Sequence, residues 1–543
     1  MDYRIKEIDG PARLGELSLN KKKIVTPNIF FVNTDRFKAP KFAEITQSEN
    51  ERKSDSYHIL LNAIQLYKQS KKFVEHTINL KEEIGYENPI YLPAVGEPSN
   101  LALLTYLGFD LFDSISAIIN ARNGILFFTN ENINKSKLYE LPCNCPACTN
   151  YKGSPSEMKF EDILNHNYYM MLNEIKNVRN SITNGKLRHL VETRIKSSPH
   201  LSTILRFLDV EYYDFLEKHT PVTGKNLVLA TSKETFNRPE IKRFQERVIN
   251  RYSKPKSSKI LLLLPCSAKK PYSFSESHKR FREVLSLCSN PNIIHEVIVT
   301  SPMGLVPREL ELVYPASNYD IPVTGRWDED EKKMIRELLK EYLKKNKYDK
   351  IIVHLPSEIT SFIEGLLKNP IITCDNKPTS KDSLQTLSKT LEKVVKGYEK
   401  IKLQDRRKED MLGSAAYQFD KKIAEKLLDE SIVRGRYPNQ KVIKENKQLG
   451  MVTGERGLIS LTIDGAKRLL GEKMYWAELY GGFTLKGSVF APGVKDADEN
   501  IRIGDEVVIK RGKQLLGVGV AMMNGEQMKK VSHGEAIKTR HHV

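Results

Sequence analysis

Three cysteines fall within six residues, Cys143-Asn-Cys145-Pro-Ala-Cys148. Thiolates are strong zinc ligands, and a C-x-C-x-x-C run can wrap one ion with little chain entropy left to lose. A closed tetrahedral site needs a fourth ligand. His166, His189 and His200 follow in the chain, and His166, the nearest, opens a helical pattern. A Cys3His structural zinc site is the expectation, with Cys143, Cys145, Cys148 and His166 as ligands. The competing reading is three free thiols in a reducing compartment. Four protein ligands leave no open position, which argues against a catalytic ion.

A second constellation starts at Cys266, in the run from Leu264 to His278: Leu-Pro-Cys-Ser-Ala-Lys-Lys-Pro-Tyr-Ser-Phe-Ser-Glu-Ser-His. Cys266 follows a dense apolar run, Ile260–Leu264, which reads as a buried strand. In open α/β sheets, ligands bind outside the carboxyl ends of the strands. Basic neighbours such as Lys269 and Lys270, and a nearby helix start, favour a thiolate. Cys266 is therefore a candidate nucleophile, weighed against a buried cysteine in a turn before a capped helix. Lys270, Tyr272 and Ser273 are candidate substrate contacts, and His278 is a candidate proton donor. Downstream, Pro302 to Glu311 and Tyr319 to Trp327 form a Pro/Gly-rich region. It supplies Arg308 and Glu309 as candidate substrate contacts and Asp320 as a candidate acid, against the alternative of an ordinary structural loop.

These residues need elements to hold them. Tyr3 to Thr34 alternates strand-like runs with Gly10, Gly15 and Pro27, and reads as hairpins leading into a buried strand, Asn28–Val32. Ser54–Ser70 and Leu101–Leu107 show helical spacing, and Ile90–Pro93 and Ile125–Phe128 are short strands. A helix is expected from Asp162 to about Val191, with Leu164, Tyr168, Met171, Ile175 and Val178 on one face. Beyond Lys259, strands at Ile260–Leu264, His295–Thr300 and Ile351–His354 alternate with helices at Ser277–Leu287 and Asp328–Asn346, an α/β pattern. Residues 376–410 read as a linker or spacer helix. From Gly454 onward, short Gly-punctuated strands with one helix suggest a small β-barrel.

The 543 residues carry 86 Lys plus Arg against 68 Asp plus Glu, a net charge of +18. Such an excess invites a polyanion, nucleic acid first among them. Its spread along the chain means that any binding surface must be assembled by folding. Six cysteines in this length make no disulfide framework, and no apolar run approaches the roughly 20 residues that span a bilayer. With no secretory-type start to the sequence, a cytoplasmic protein with no membrane partner is expected.

Three resemblances sharpen this. Asp110-Leu-Phe-Asp-Ser114, Ala121-Arg-Asn-Gly124, the cysteine cluster, Leu164-Asn-His-Asn167 and Arg179 follow in the order seen in the archaeal tRNA-guanine transglycosylases. Gly10-Pro-Ala-Arg-Leu-Gly15 and Thr26-Pro27 resemble that family's opening. The resemblance implies a modified (β/α)8 barrel and a zinc site. Only 112 residues precede Asp113, so part of the barrel should be missing, and the family's Asp-Ser-Gly-Gly-x-Gln segment is absent. Asp113 falls on the position of the transglycosylase nucleophile and is read as a retained structural or RNA-contacting acid. The Cys266 run, Val306-Pro-Arg-Glu-Leu310 and Tyr319-Asp-Ile-Pro-Val-Thr-Gly325 resemble the core domain of the archaeosine synthase family. Val489-Phe-Ala-Pro-Gly493, Ile503-Gly-Asp-Glu-Val-Val508, Gly517-Val-Gly-Val-Ala521 and Gly534-Glu-Ala-Ile537 resemble a PUA domain, a small RNA-binding barrel.

The expected architecture is α/β multidomain. A truncated TIM-barrel-like transglycosylase-type domain with the zinc site occupies residues 1–225, and an α/β core domain occupies 226–380. A linker helix and small α+β domain follow at 381–459, then a PUA β-barrel at 460–543. The resemblance implies a substrate, tRNA carrying 7-cyano-7-deazaguanine at position 15 in the D-arm, whose nitrile becomes an amidine. The nitrogen donor is lysine or glutamine, with lysine preferred because no glutaminase signature is visible, and a separate radical enzyme would complete archaeosine. The resemblance is compatible with a homodimer. Two other readings stand beside this one: base exchange of the transglycosylase type, and a non-catalytic tRNA-binding subunit.

Overall fold

A computed structural model describes residues 3–19, 22–47, 56–322 and 325–543. Ser54 and Asp55 of the first expected helix, Asn20 and Lys21 of the opening hairpins, and Val323 and Thr324 of the Tyr319–Trp327 region lie outside the described residues. The chain divides into two compact units, Met1–Thr220 with Lys530–Gly534, and Pro221–Lys529 with Glu535–Val543.

The first unit opens with an antiparallel meander of Tyr3–Asp9, Ala12–Leu19 and Lys22–Thr26. It leads into Asn28–Val32, a strand of an all-parallel, five-stranded sheet. The sheet order is Ile45–Gln47, Asn28–Val32, Leu111–Asp113, Ile90–Tyr91, His58–Ile59. Five strands among the described residues, where a complete barrel has eight, agree with a shortened barrel. Arg13 bolts the meander to the sheet: its Nε and Nη2 each donate to a carboxylate oxygen of buried Asp110 at 2.8 Å. The long helix Phe160–Thr183 turns the expected apolar face inward. The helix expected at Ser54–Ser70 appears instead as Ala63–Tyr67 followed by the 15-residue Ser70–Ile84. The latter buries only Phe73, Val74, Thr77, Ile78 and Lys81, so a mostly Lys- and Glu-covered surface hides its stripe in the sequence.

The second unit contains a sheet ordered Gly304–Pro307, Ile294–Thr300, Ile260–Pro265, Lys350–Val353, Ile371–Ile372, parallel except for its first strand. The central residues Ile260 to Leu264 are all fully buried, because helices cover both faces. Leu261 and Leu263 pack with Phe244 and Val248 of helix Pro239–Asn250 and with Ile335 and Leu339 of helix Glu329–Lys345. Ile260, Leu262 and Leu264 face Phe281 of helix Glu276–Ser286 and Leu387, Leu391 and Val395 of helix Lys381–Val395. That last helix is therefore half of a covering layer. The reading of residues 376–410 as a linker is corrected, because an amphipathic stripe spaced 387, 391, 395 meets the uncovered face of the sheet.

Helices Leu403–Gln418 and Lys421–Leu428 lead to a four-stranded antiparallel sheet, Ile432–Arg436, Asn439–Lys444, Lys447–Val452 and Ile459–Leu461. A six-stranded sheet follows, ordered Val489–Phe490, Glu535–His542, Gln514–Ala521, Glu506–Arg511, Trp476–Leu479, Val494–Ala497. The two sheets meet at Glu506. Its buried carboxylate accepts from Arg456, from Arg540 at 2.8 Å through both guanidinium nitrogens, and from the Leu461 N–H at 2.9 Å. Two helices, Ile463–Leu469 and Gly525–Lys530, accompany these strands where one was expected.

Candidate functional site

The cysteine cluster and His166 come together. One ligand atom from each of Cys143, Cys145, Cys148 and His166 lies within 4.8 Å of all the others. His166 Nδ1 stands 3.2 Å from Cys148 Sγ and 3.6 Å from Cys145 Sγ. Helix Phe160–Thr183 carries His166, and the strand before the cluster orients it: His166 Nε2 lies 2.8 Å from the Phe127 carbonyl oxygen. That bond puts the proton on Nε2 and leaves the Nδ1 lone pair for an ion, as an outer partner of a metal-bound histidine does. The neighbouring Asn167 accepts the Phe127 N–H at 2.8 Å, so consecutive helix residues hold the N–H and the carbonyl of one strand residue. His200 is elsewhere, 3.0 Å from the Ser70 hydroxyl, and His189 is not among the four. Three sulfurs and one imidazole nitrogen at this separation suit a tetrahedral ion.

Cys266 follows the central strand Ile260–Pro265 at its carboxyl end. Thr300 ends the adjacent strand, Ile294–Thr300, at the same sheet edge. The Thr300 hydroxyl is 2.5 Å from the Tyr319 hydroxyl, which is 2.7 Å from that of Tyr272. The Lys270 ammonium sits 3.9 Å from the Tyr319 ring centroid. Burial pushes the Cys266 thiol up, against the pull of Thr300 and of the Lys270 charge. Burial likewise pushes Lys270 down, against the charges of Cys266 and Asp320. Desolvation outweighs the lowering influences on the thiol, so burial opposes the thiolate that the basic neighbours favour.

The other site residues divide. Asp320 is exposed, and its carboxylate accepts its neighbour Ile321's N–H at 2.9 Å. His278 is fully buried; its Nε2 lies 3.0 Å from the Pro265 carbonyl oxygen, and its Nδ1 accepts from Arg308 at 2.8 Å. Burial, with the Arg308 guanidinium beside it, holds His278 down to about 2. A neutral ring with both nitrogens engaged positions the strand end. Arg308 also grips Glu296 at 2.5 Å and Glu311 at 3.0 Å. Glu311, buried, accepts the Ser273 N–H at 2.9 Å, the Ser273 hydroxyl, and the Tyr437 hydroxyl at 2.7 Å. Glu309 turns to a separate group, accepting from Tyr252 at 2.5 Å and lying 3.3 Å from His295 Nε2. Arg308, Glu309 and Ser273 therefore brace the loops around Cys266. The sequence reading missed Thr300, Tyr319 and Glu311. Thr300 was findable, since it ends the strand expected next to Ile260–Leu264, at the same edge as Cys266.

In the first unit, Asp113 is buried and well satisfied. It accepts from the Tyr91 hydroxyl at 2.6 Å, Ala94 N–H at 2.9 Å and Ile115 N–H at 2.8 Å. Beside it opens a cavity of about 360 Å³ lined by Tyr67, Ala94, Glu97, Asn100, Asn132 and His200 among others. Burial raises the Glu97 carboxyl, which accepts from Asn120 and Asn132 at 3.3 and 2.7 Å.

Comparison with known proteins matches residues 43–200 to the family described as queuine tRNA-ribosyltransferase and 483–543 to the PUA domain. Residues 241–391, which hold the Cys266 sheet and most of helix Lys381–Val395, match a domain family of unknown function, DUF5591. A transglycosylase-type α/β domain with a Cys3His cluster, joined to a second α/β sheet and a terminal PUA barrel, defines the class of protein. The archaeosine synthase subunit alpha of Methanosarcina acetivorans is 34% identical over 92% of this chain and 81% of its own length. The archaeosine synthase of Haloferax volcanii is 34% identical over 92% of this chain and 85% of its length. The tRNA-guanine(15) transglycosylase of Methanothermobacter thermautotrophicus is 28% identical over 87% and 68%. The chain belongs to the archaeosine synthase family.

Proposed function

We propose that this chain modifies tRNA carrying 7-cyano-7-deazaguanine at position 15, converting the nitrile towards the amidine of archaeosine. The observation that carries the reading is the placement of Cys266 at the carboxyl end of the central strand, with Thr300 ending the adjacent strand and the Lys270 charge acting on the thiol. Sulfur attacks the nitrile carbon while the thiol proton passes through Lys270 to the nitrile nitrogen, giving a thioimidate. The amine of the donor, lysine in this reading with glutamine as the alternative, then adds to the same carbon. The carbon–sulfur bond breaks, a proton returns to sulfur, and an amidine remains. Asp320, exposed near Lys270, is the acid that serves the nitrogen. Lys270 lines the approach, while Tyr272 is buried with its hydroxyl 2.7 Å from that of Tyr319. A radical enzyme acting afterwards would release archaeosine from a lysyl adduct.

The ion held by Cys143, Cys145, Cys148 and His166 is zinc in this reading, stabilising the loop between Phe127 and helix Phe160–Thr183 without touching the chemistry. The protein would act in the cytoplasm; no described helix is long and apolar enough to cross a membrane. Base exchange finds less support, because Asp113 is buried and spends its carboxylate on three local donors.

Mass spectrometry of the tRNA nucleosides after incubation with lysine or glutamine tests the proposal. The wild type should give the amidine or its lysyl adduct, and Cys266→Ala should give neither while still binding tRNA. An active Cys266→Ala protein would remove the thioimidate. Incorporation of labelled guanine would move the assignment to base exchange.

A further inference from the structure

Away from the Cys266 edge, the second unit has a large open concavity of about 780 Å³. It lies where helices Pro239–Asn250 and Glu329–Lys345 end and helix Lys421–Leu428 begins. Five of its lysines, Lys254, Lys256, Lys345, Lys347 and Lys421, line it, and none has a carboxylate partner among the ion pairs of the described residues. Arg251 and Lys422 line it too. Arg251 donates to the Gln418 and Phe419 carbonyls and the Tyr475 hydroxyl, and Lys422 reaches Glu472 at 3.4 Å. The single acid of the lining, Asp420, is already used as a helix cap, accepting the Ile423 N–H at 2.6 Å.

The crowding has a cost that nearby acids offset only in part: Lys422 reaches Glu472, and Glu409 and Asp349 draw Lys254 upward. Lys345 donates to the Ile249 and Asn250 carbonyls at 3.3 and 3.0 Å, which fixes its cation at the mouth. Burial and the charge of Lys421 push Lys345 down; burial and Lys259 do the same to Lys254. Lys421 and Lys422 occupy the first turn of a helix, the end whose dipole already repels cations. Seven basic groups with one committed acid gain from an anion that bridges several of them at once. A single small anion meets two or three cations, whereas successive phosphates of a nucleic-acid backbone meet them all and release their counterions on binding.

We propose that this groove is a docking surface for the phosphate backbone of the tRNA substrate, distinct from the PUA barrel and indifferent to base sequence. The proposal rests on the reading of tRNA as the substrate. Its test is tRNA affinity as a function of salt for the full chain, for Lys256→Gln/Lys347→Gln/Lys421→Gln, and for a charge-matched control, Lys381→Gln/Lys389→Gln/Lys393→Gln. The control lysines lie on the helix covering the opposite face of the sheet. The groove variant should bind about ten-fold or more weakly, with the slope of log K against log salt reduced by roughly 2–3, and the control should stay near wild type. Equal losses in both variants would reduce the groove to bulk charge and overturn the proposal, as would an unchanged slope. A wild-type chain that binds no tRNA would remove the substrate reading itself, and the groove with it.

Discussion

At the residue scale, the pair to watch is Cys266 and Lys270. Each is shifted by burial against its charged form, and each is drawn back by the other. The Lys270 cation lowers the thiol, so its removal must raise it. Alkylation of Cys266 by iodoacetamide should follow a pH profile displaced above that of an ordinary thiol, and Lys270→Met should displace it further upward. At pH 8 the variant should react about ten-fold more slowly for each pH unit of displacement, because only the thiolate attacks. A profile unchanged in Lys270→Met would mean that the amine does not sense the sulfur. The residue types around Cys266 were legible in the sequence, but the sign of the shift was not. Spacing shows that a lysine follows four residues later; it does not show that the loop lies over Tyr319 with the ammonium on its ring. The same limit explains Arg308 and Glu309. An Arg-Glu pair in a Pro/Gly-rich stretch reads as a substrate clamp, and spacing does not show that Arg308 also engages Glu296, Glu311 and His278 while Glu309 engages Tyr252 and His295.

At the element scale, helix Lys381–Val395 decides how the core is read. Its charged outer face and its position after a loop make it look like a spacer, yet Leu391 is fully buried against the sheet. Leu391→Ala should lower the stability of the second unit by about 2–5 kcal/mol, measured by chemical denaturation, whereas a spacer helix would lose almost nothing. The central strand was readable because five consecutive aliphatic residues admit few other fates. The Cys3His cluster was readable because its members are close in sequence, and His166 lies only 18 residues beyond Cys148 in the same local excursion of the chain. Helix Ser70–Ile84 was not, since its lysine- and glutamate-rich surface dilutes a stripe of four apolar or small residues.

At the scale of the whole chain, the net charge of +18 acquires an address in the second unit. The groove between helix ends concentrates cations that are scattered in sequence between Arg251 and Lys422, which is why no single segment stood out. The joint between the two β-sheets of that unit is of opposite character, one buried acid serving two arginines. Glu506→Ala should cost about 3–5 kcal/mol, because it strands Arg456 and Arg540 without a counter-charge. Hydrogen exchange should quicken at the amides of Ile459–Leu461 and Glu506–Arg511 together; quickening in only one would mean that the carboxylate does not couple them.

Glu311 has a consequence for what can be cut out of this protein. Its carboxylate fastens Ser273, in the loop that follows Cys266, to the hydroxyl of Tyr437, which lies between the first two strands of a sheet more than 120 residues downstream. Gly457, with φ of +69°, lies so close to Leu312 that a Cβ there would stand 2.0 Å from the Leu312 carbonyl oxygen. The thiol-bearing sheet is therefore not a portable cassette. A fragment ending after its last strand would keep the cysteine and lose the clasp that shapes the loop around it, so transplanting this chemistry onto another scaffold would require carrying the later sheet along.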